Sequence, residues 1–311
     1  MTSADVARAA GVSRATVSYV LNDVPGRTIS AATRDRVLRV AASLGHVPSA
    51  SARALRSGRS RIVLALVPSF EVGHLFDRTL AAVNERLAAL GYALLVHQHS
   101  EEQRSLAELW GVVNPTLVLA TNGLDASGRG AIRDARVAVV DVAELGSFDG
   151  IGRLQAERLV SRGHRVLAFA MPTDPRLEAF ARERLQGVID VCSERGLPAP
   201  RVLCIERGAT DPLAQWRALV PRPSAICAYN DELALELWAV LARSGLTPGE
   251  DVALIGVDDI PLAAIGLTTV AFDAVRFGAR IAGLIEHRLG HTARPPALDE
   301  DFTRLVERDS A

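Results

Sequence analysis

From Ile62 onward the chain alternates short, continuously apolar runs with longer amphipathic ones, and this alternation limits the folds open to it more than any other feature. Apolar runs without interposed polar residues suit strands buried on both faces, the environment of parallel strands joined by covering helices. Strands are expected at Ile62 to Val67, Ala93 to His97, Thr116 to Ala120, Val137 to Val142, Val166 to Ala170, Val202 to Ile205, Ala225 to Ala228 and Val252 to Val257. Helical patterns fall between them, for example over Phe76 to Leu90, Gly152 to Ser161, Arg176 to Arg195, Asp231 to Ser244 and Asp273 to Leu289. Roughly eight such units are too many for one small sheet. The turn-like stretch Gly146 to Gly150 offers a division, so two similar α/β lobes with a cleft between them are the preferred arrangement. A single β/α barrel is the alternative, but it leaves the preceding 61 residues unexplained.

Those first residues follow different rules. Thr2 can cap a helix whose Val6, Ala9 and Ala10 recur at helical spacing, and Gly11 closes it. Ser13 caps a second helix from Arg14 to Leu21, which Asn22 can end, so Gly11-Val12-Ser13 is the turn of a helix-turn-helix. Ser30 caps a third helix with Val37, Leu38 and Ala41 on one face, ending at Gly45, and a core is expected around Val6, Val17, Val20, Val37 and Leu38. Residues 48–61 are small or basic with one sizeable apolar side chain, Leu55, and read as a linker helix that forms only when something holds it.

Charge separates the same two regions. Residues 1–61 carry ten arginines against three acids, a net +7, which leaves −8 for the rest of a chain whose net charge is −1. A basic module on an acidic body suits a protein that attracts phosphate with one end only, although charge alone fits a solvated basic face equally well. All 35 basic residues are arginine, which excludes a phosphate-loop lysine, a Schiff-base lysine and a kinase-type lysine. Cys192, Cys204 and Cys227 have no metal-ligand spacing and are expected to be buried small hydrophobes. There is no HExxH and no GxSxG, and His97-Gln-His99 lacks a third metal ligand, so neither catalytic residues nor a metal or cofactor are assigned. No apolar run reaches the roughly 18 to 20 residues of a membrane span, and the first residues lack a secretory signal; a cytoplasmic protein without membrane contact is expected.

The run from Asp5 to Asn22, then Thr33-Arg-Asp-Arg-Val37, Pro48 and Ala52-Arg-Ala-Leu55, resembles the LacI/GalR family of bacterial transcriptional regulators. Family-like motifs continue through Gly163-His164, Arg184-Leu-Gln-Gly187, Ala228-Tyr-Asn-Asp231, the Glu250 to Asp259 run and Leu267-Thr-Thr269. The resemblance covers essentially the whole chain. It implies an all-α helix-turn-helix head over residues 1–47, a hinge over 48–61, and over 62–311 a two-lobed α/β core of periplasmic-binding-protein type with parallel sheets and helices on both faces. Lobe 1 would take about 62–147 plus 273–297, and lobe 2 about 148–272 plus 298–311. It also implies a repressor of transcription, homodimeric, bound to double-stranded operator DNA and modulated by a sugar-like small molecule between the lobes. No heptad-bearing helix follows the last expected strand, which favours a dimer over a tetramer.

Residue roles follow from the resemblance and from chemistry together. In a helix-turn-helix the second helix enters the major groove, so Arg14 can pair bidentately with guanine, Ala15 offers a methyl contact, and Tyr19 reaches a base or a phosphate. Ser13, Thr16, Ser18, Asn22 and Ser30 suit either phosphate contacts or local capping. In the hinge Leu55, with Ala52 and Arg53 beside it, looks like the family's minor-groove wedge, or else packs on the body. Effector positions would be Ser69, Phe76, Asp141, Arg184, Asn230 and Asp258, whose mixed carboxylate, guanidinium and amide groups can hold several hydroxyls. Arg184 can equally be an ion-pair partner and Asn230 a helix cap. Two stretches depart from the family pattern, Pro68 to Phe76 and Leu145 to Gly152, so the ligand is unusual for the family or effector control is weak or absent. An enzyme on the same scaffold, or a small-molecule-binding protein without DNA regulation, are the competing functions.

Overall fold

The computed structural model describes residues 1–21, 29–45, 60–68, 74–99, 106–121, 130, 132–133, 137–206, 211, 213–297 and 301–311. Residues 48–59 of the expected hinge, with Ala52, Arg53 and Leu55, lie outside the described residues, as do Asn22 and Ser69. Two compact units are present: Met1–Arg61 with Asn114–Thr116, and Ile62–Val113 with Leu117–Ala311.

The first unit holds α1 (Ser3–Ala10), α2 (Arg14–Leu21) and α3 (Ala31–Ser43). Each begins where a side chain can satisfy its unpaired backbone donors. At α1 the Thr2 amide donates to the Asp5 carboxylate at 2.9 Å, and bonds from Thr2 hold that carboxyl below the usual carboxylate range. Ser13 accepts from the Thr16 amide at 3.0 Å to cap α2, and Ser30 accepts from the Thr33 amide at 3.3 Å to cap α3. Gly11 ends α1 at φ 63°, a conformation that costs a residue without a Cβ least. Val6, Val17, Val20 and Val37 are buried at the centre. Leu38, expected there as well, is instead 45% exposed. Val37 and Ala41, four residues apart, share the inward face, and one residue's step of about 100° turns Leu38 away from it.

The second unit is built on two open sheets. One has the order β2 (Ala93–His99), β1 (Ile62–Pro68), β3 (Leu117–Ala120), β4 (Ala138–Asp141), all parallel. α4 (His74–Ala89) and α10 (Ala274–Arg288) pack against each other and share a core with this sheet. α5 (Leu106–Val113) precedes β3. The other sheet runs β10 (Thr303–Val306), β9 (Thr268–Phe272), β8 (Ala253–Val257), β7 (Ala225–Ala228), β5 (Leu167–Pro172), β6 (Arg201–Ile205). It is parallel except for β10, which pairs antiparallel with β9, Thr303 opposite Phe272. Its core takes side chains from α6 (Asp149–Ser161), α7 (Glu178–Glu194) and α9 (Asp231–Arg243), with α8 (Ala214–Ala218) inserted before β7. Two open sheets replace the barrel alternative. Among the described residues no helix is long and apolar enough to cross a membrane.

Two expectations fail for identifiable reasons. No strand is expected over β9, whose first two residues are threonines, yet both are fully buried. Their hydroxyls are answered: Thr268 Oγ1 donates to the Arg308 carbonyl at 3.0 Å and Thr269 Oγ1 to Asp231 Oδ1 at 2.6 Å, which removes the cost of burying them. Cys192 and Cys227 are buried as expected, whereas Cys204 is exposed. It stands on β6, the edge strand, where alternate side chains have no neighbouring layer to face.

Helices α6 and α7 meet backbone to backbone. A Cβ on Gly152 would lie 1.8 Å from the Arg184 carbonyl oxygen, and one on Gly187 would lie 2.0 Å from that of Asp149. Gly187→Ala is therefore expected to lower stability by about 1–3 kcal/mol or more, as overpacking does. Gly150→Ala, where a Cβ meets nothing within 4 Å, should cost nothing. Paired thermal-denaturation midpoints check this, and equal midpoints would contradict the close approach.

Candidate functional site

Two regions gather the residues singled out by the sequence. On the first unit, Arg14 and Ala15 are exposed at the N-terminus of α2, with Ser18 and Tyr19 half-buried further along. Ser13 and Thr16 serve the local cap: their hydroxyls lie 2.9 Å apart, in addition to the bond from the Thr16 amide. The Ser30 hydroxyl donates to Thr33 Oγ1 at 2.9 Å while capping α3. These hydroxyls thus take part in the capping that was the alternative to phosphate contact, with the Ser30 proton donated within its own cap.

On the second unit, strand ends from both sheets open onto one cavity of about 170 Å³. A buried water needs on the order of 10–15 Å³ by the same measure, so a small molecule fits rather than an isolated water. Parallel strands of one sheet end on the same side, so residues just past β3, β4, β7 and β8 converge there, and ligands of α/β sheets settle at such carboxyl ends. Phe76, Arg184, Asn230 and Asp258 all line the cavity. Asp141 does not: it ends β4 and accepts from the Ala143 amide at 3.0 Å, capping the short 3-10 turn Val142–Leu145. Asn230 has two duties, since its side chain also caps α9 by accepting from the Leu233 amide at 3.0 Å.

Arg184 forms the floor. It stands on α7, with its backbone held against α6 by the glycine contact, and its side chain is 8% exposed. One Nη donates to the Tyr229 carbonyl, and the guanidinium lies 4.5 Å from the centre of the Tyr229 ring. The other Nη stands 3.9 Å from Asp258 Oδ1, within ionic reach but beyond a hydrogen bond. Arg184 Nε and Asp258 Oδ1 are buried without hydrogen-bond partners. Asp258 sits at φ 104°, a region a non-glycine residue rarely occupies, so its carboxylate is positioned at a backbone cost. Burial pushes its pKa up to about 6; Arg184 opposes that rise and Glu232 adds to it.

Behind this floor are groups the sequence analysis missed. Asp231 is fully buried and accepts from Thr269 Oγ1 at 2.6 Å and from the Ile260 amide at 2.9 Å. Gly256 makes room for it, since a Cβ there would lie 2.1 Å from Asp231 Oδ1. Gln155, fully buried on α6, donates from Nε2 to the Ala228 carbonyl at 2.9 Å and to those of Ile255 and Gly256 at 3.2 Å, tying the ends of β7 and β8. The aromatic wall was also unforeseen: Phe148, Phe180, Phe272 and Phe277 join Phe76, so five of the eight phenylalanines line one cavity. Their rings interlock, with Phe272 and Phe277 centroids 5.2 Å apart and Phe148 within 6.4 Å of Phe180. No local pattern links them, because they come from separate segments of the chain.

Comparison with known proteins follows the same division. Residues 2–49 match the family described as "Bacterial regulatory proteins, lacI family", and residues 156–311 match "Periplasmic binding protein-like domain". The chain is 27% identical to the HTH-type transcriptional repressor PurR of Vibrio vulnificus (strain CMCP6), over 98% of this chain and 97% of that protein. It is 28% identical to the ribose operon repressor of Escherichia coli (strain K12), over 100% and 99%. Among solved structures, a lac repressor dimer bound to operator and the anti-inducer ONPF aligns with TM-score 0.80 at 24% identity, covering 100% of this chain and 98% of that one.

Asp231 gives a pH-dependent expectation. Burial raises its carboxyl from 3.8 to about 7. Between those values the folded chain retains a proton that the unfolded chain releases, so stability falls as pH rises through this window. Asp231→Asn removes that dependence. Its denaturation midpoint relative to the natural chain should improve from about pH 5 to about pH 8, and a difference that does not change with pH would contradict the assignment.

Proposed function

Since the chain belongs to the LacI family of bacterial regulatory proteins, with a periplasmic binding protein-like body behind the family's DNA-binding head, we propose that it is a homodimeric cytoplasmic repressor whose hold on operator DNA is set by a small molecule bound between its lobes. The observation that carries this reading is full-length correspondence with transcriptional repressors, which takes in head and body together. The charge division supports it, because +7 on residues 1–61 provides counterion release on a duplex that the acidic remainder cannot. Arg14 and Ala15, exposed at the leading end of α2, read base edges. Ser13, Thr16, Ser18, Tyr19, Asn22 and Ser30 fix register on phosphates, and Leu55, flanked by Ala52 and Arg53, wedges the minor groove at the operator centre.

Phe76, Arg184, Asn230, Asp258 and Ser69 contact the effector. Asp141 acts indirectly, by shaping the turn that carries Val142 to the cavity wall. An effector that prefers one lobe arrangement shifts the population toward it and so changes DNA affinity, and the coupling is reciprocal. An inducer and a corepressor differ only in the sign of that coupling.

Selection of bound duplexes from a random pool by the full chain, at physiological salt, tests this reading. Enrichment of a palindrome bound at least ~10³-fold more tightly than random duplex is expected. No palindromic enrichment would overturn it.

A further inference from the structure

Among the described residues, β6 is paired on one side only, to β5, and so forms an edge of the second sheet. Backbone donors and acceptors alternate between the two edges of a strand. The Ile205 carbonyl turns to the β5 side, where it accepts from the Thr173 amide at 3.2 Å, so the groups of Val202 and Cys204 point the other way. An edge in that state is a template for another strand, and this one is apolar from Val202 to Ile205, with Val202 45% exposed and Cys204 exposed beside it. The outward groups of Cys204 are covered, however. Gln215 on α8 accepts from the Cys204 amide through Oε1 at 3.1 Å and donates from Nε2 to the Cys204 carbonyl at 3.4 Å. A side-chain amide carries the same donor and acceptor as a peptide unit, so Gln215 fills the two positions that one residue of an added strand would take. The helix beneath it is anchored: Trp216 is buried and donates from Nε1 to the Pro223 carbonyl at 2.9 Å, while Arg217 donates to Asp211 at 2.6 Å and to Ser244 Oγ at 2.9 Å.

We propose that Gln215 is a latch that closes β6 against strand addition, and that the strand it keeps out is β6 of a second copy of this chain. Antiparallel pairing of two copies is the arrangement this edge fits. It brings the basic end of one strand, Arg201, toward the acidic end of the other, Glu206, whereas parallel pairing sets like charges side by side. Only outward-pointing residues can bond across the joint. With Gln215 withdrawn, the amide and carbonyl of Cys204 in one copy exchange bonds with those of Cys204 in the other, about a two-fold axis. The exposed side chains of Val202 and Cys204 then form one apolar strip across the joint. Every protomer carries the same edge, so in the proposed homodimer an open β6 would join one pair of chains to the next; the latch leaves assembly to other surfaces.

Sedimentation of the full chain and of Gln215→Ala over a dilution series tests this. Gln215 is exposed and alanine favours helix, so α8 is retained. At high concentration the average mass of the variant should rise at least about twofold above that of the natural chain, and fall back on dilution. Adding Val202→Lys, which sets a charge on the opened edge, should return the mass to that of the natural chain. Cys204 supplies a second readout, since hydrogen-bonded antiparallel partners have Cα atoms about 5.5 Å apart, within the span of a disulfide. Diamide, which oxidises two thiols to a disulfide, should link copies of Gln215→Ala through Cys204 at least ~10-fold faster than copies of the natural chain, leaving the buried Cys192 and Cys227 unlinked. A Gln215→Ala chain with an unchanged far-ultraviolet spectrum that sediments as the natural chain does, association that survives Val202→Lys, or equal linking of variant and natural chain would each overturn the proposal. If the spectrum of Gln215→Ala does change, Gln215→Met, equally long and without the amide, is measured in its place, with the same outcomes expected and the same ones excluded.

Discussion

Burial of one guanidinium organises the second unit. Arg184 leaves water only because a carbonyl, an aromatic face and a carboxylate receive it, and each is supplied by a different part of the fold: Tyr229 by the end of β7, Asp258 by the end of β8, and the position of Arg184 itself by two glycines that let α6 and α7 touch. A buried charge is tolerable when paired and costly when not, so these elements are held to one arrangement. The pairing is incomplete: one nitrogen of the guanidinium and one oxygen of the carboxylate remain unanswered.

The layers behind that pair hold it in place. Gln155 ties the strand ends from below, and Asp231 fastens α9 to β9 through Thr269 and to the segment after β8 through the Ile260 amide. Gly256 is the opening through which Asp231 reaches them. These residues touch the site through others, so they set its geometry rather than its chemistry. In the first unit the division of labour differs: Ser13, Thr16 and Ser30 are occupied with helix starts, which leaves Arg14 and Ala15 presented outward on a rigid frame.

Much of this was legible in the sequence where one residue type has one good use. Gly11 in the turn, Ser13 and Ser30 as caps, and the apolar runs of β1, β7 and β8 could be read directly, because capping and two-sided burial leave few alternatives. What could not be read depends on partners distant in the chain. Thr268 and Thr269 read as polar until Arg308 and Asp231 are brought to them. Leu38 read as core because its face is decided by a single helical step. Arg184, Asn230 and Asp258 came from motif resemblance, and the fold gathers them with Phe76 at one cavity while leaving Asp141 on its turn. The aromatic wall was out of reach, since Phe148, Phe180, Phe272 and Phe277 belong to four separate segments that nothing local links.

The central claim is that occupancy of DNA by the first unit and the state of the cleft in the second are coupled through one free energy. Amide hydrogen exchange of the full chain, with its selected palindrome and with a scrambled duplex of equal length, measures this most directly. The account predicts that the palindrome alters exchange along α7 and at the start of α9, far in sequence from the head, and that the scrambled duplex does not. Identical exchange in those helices with and without the palindrome would contradict it.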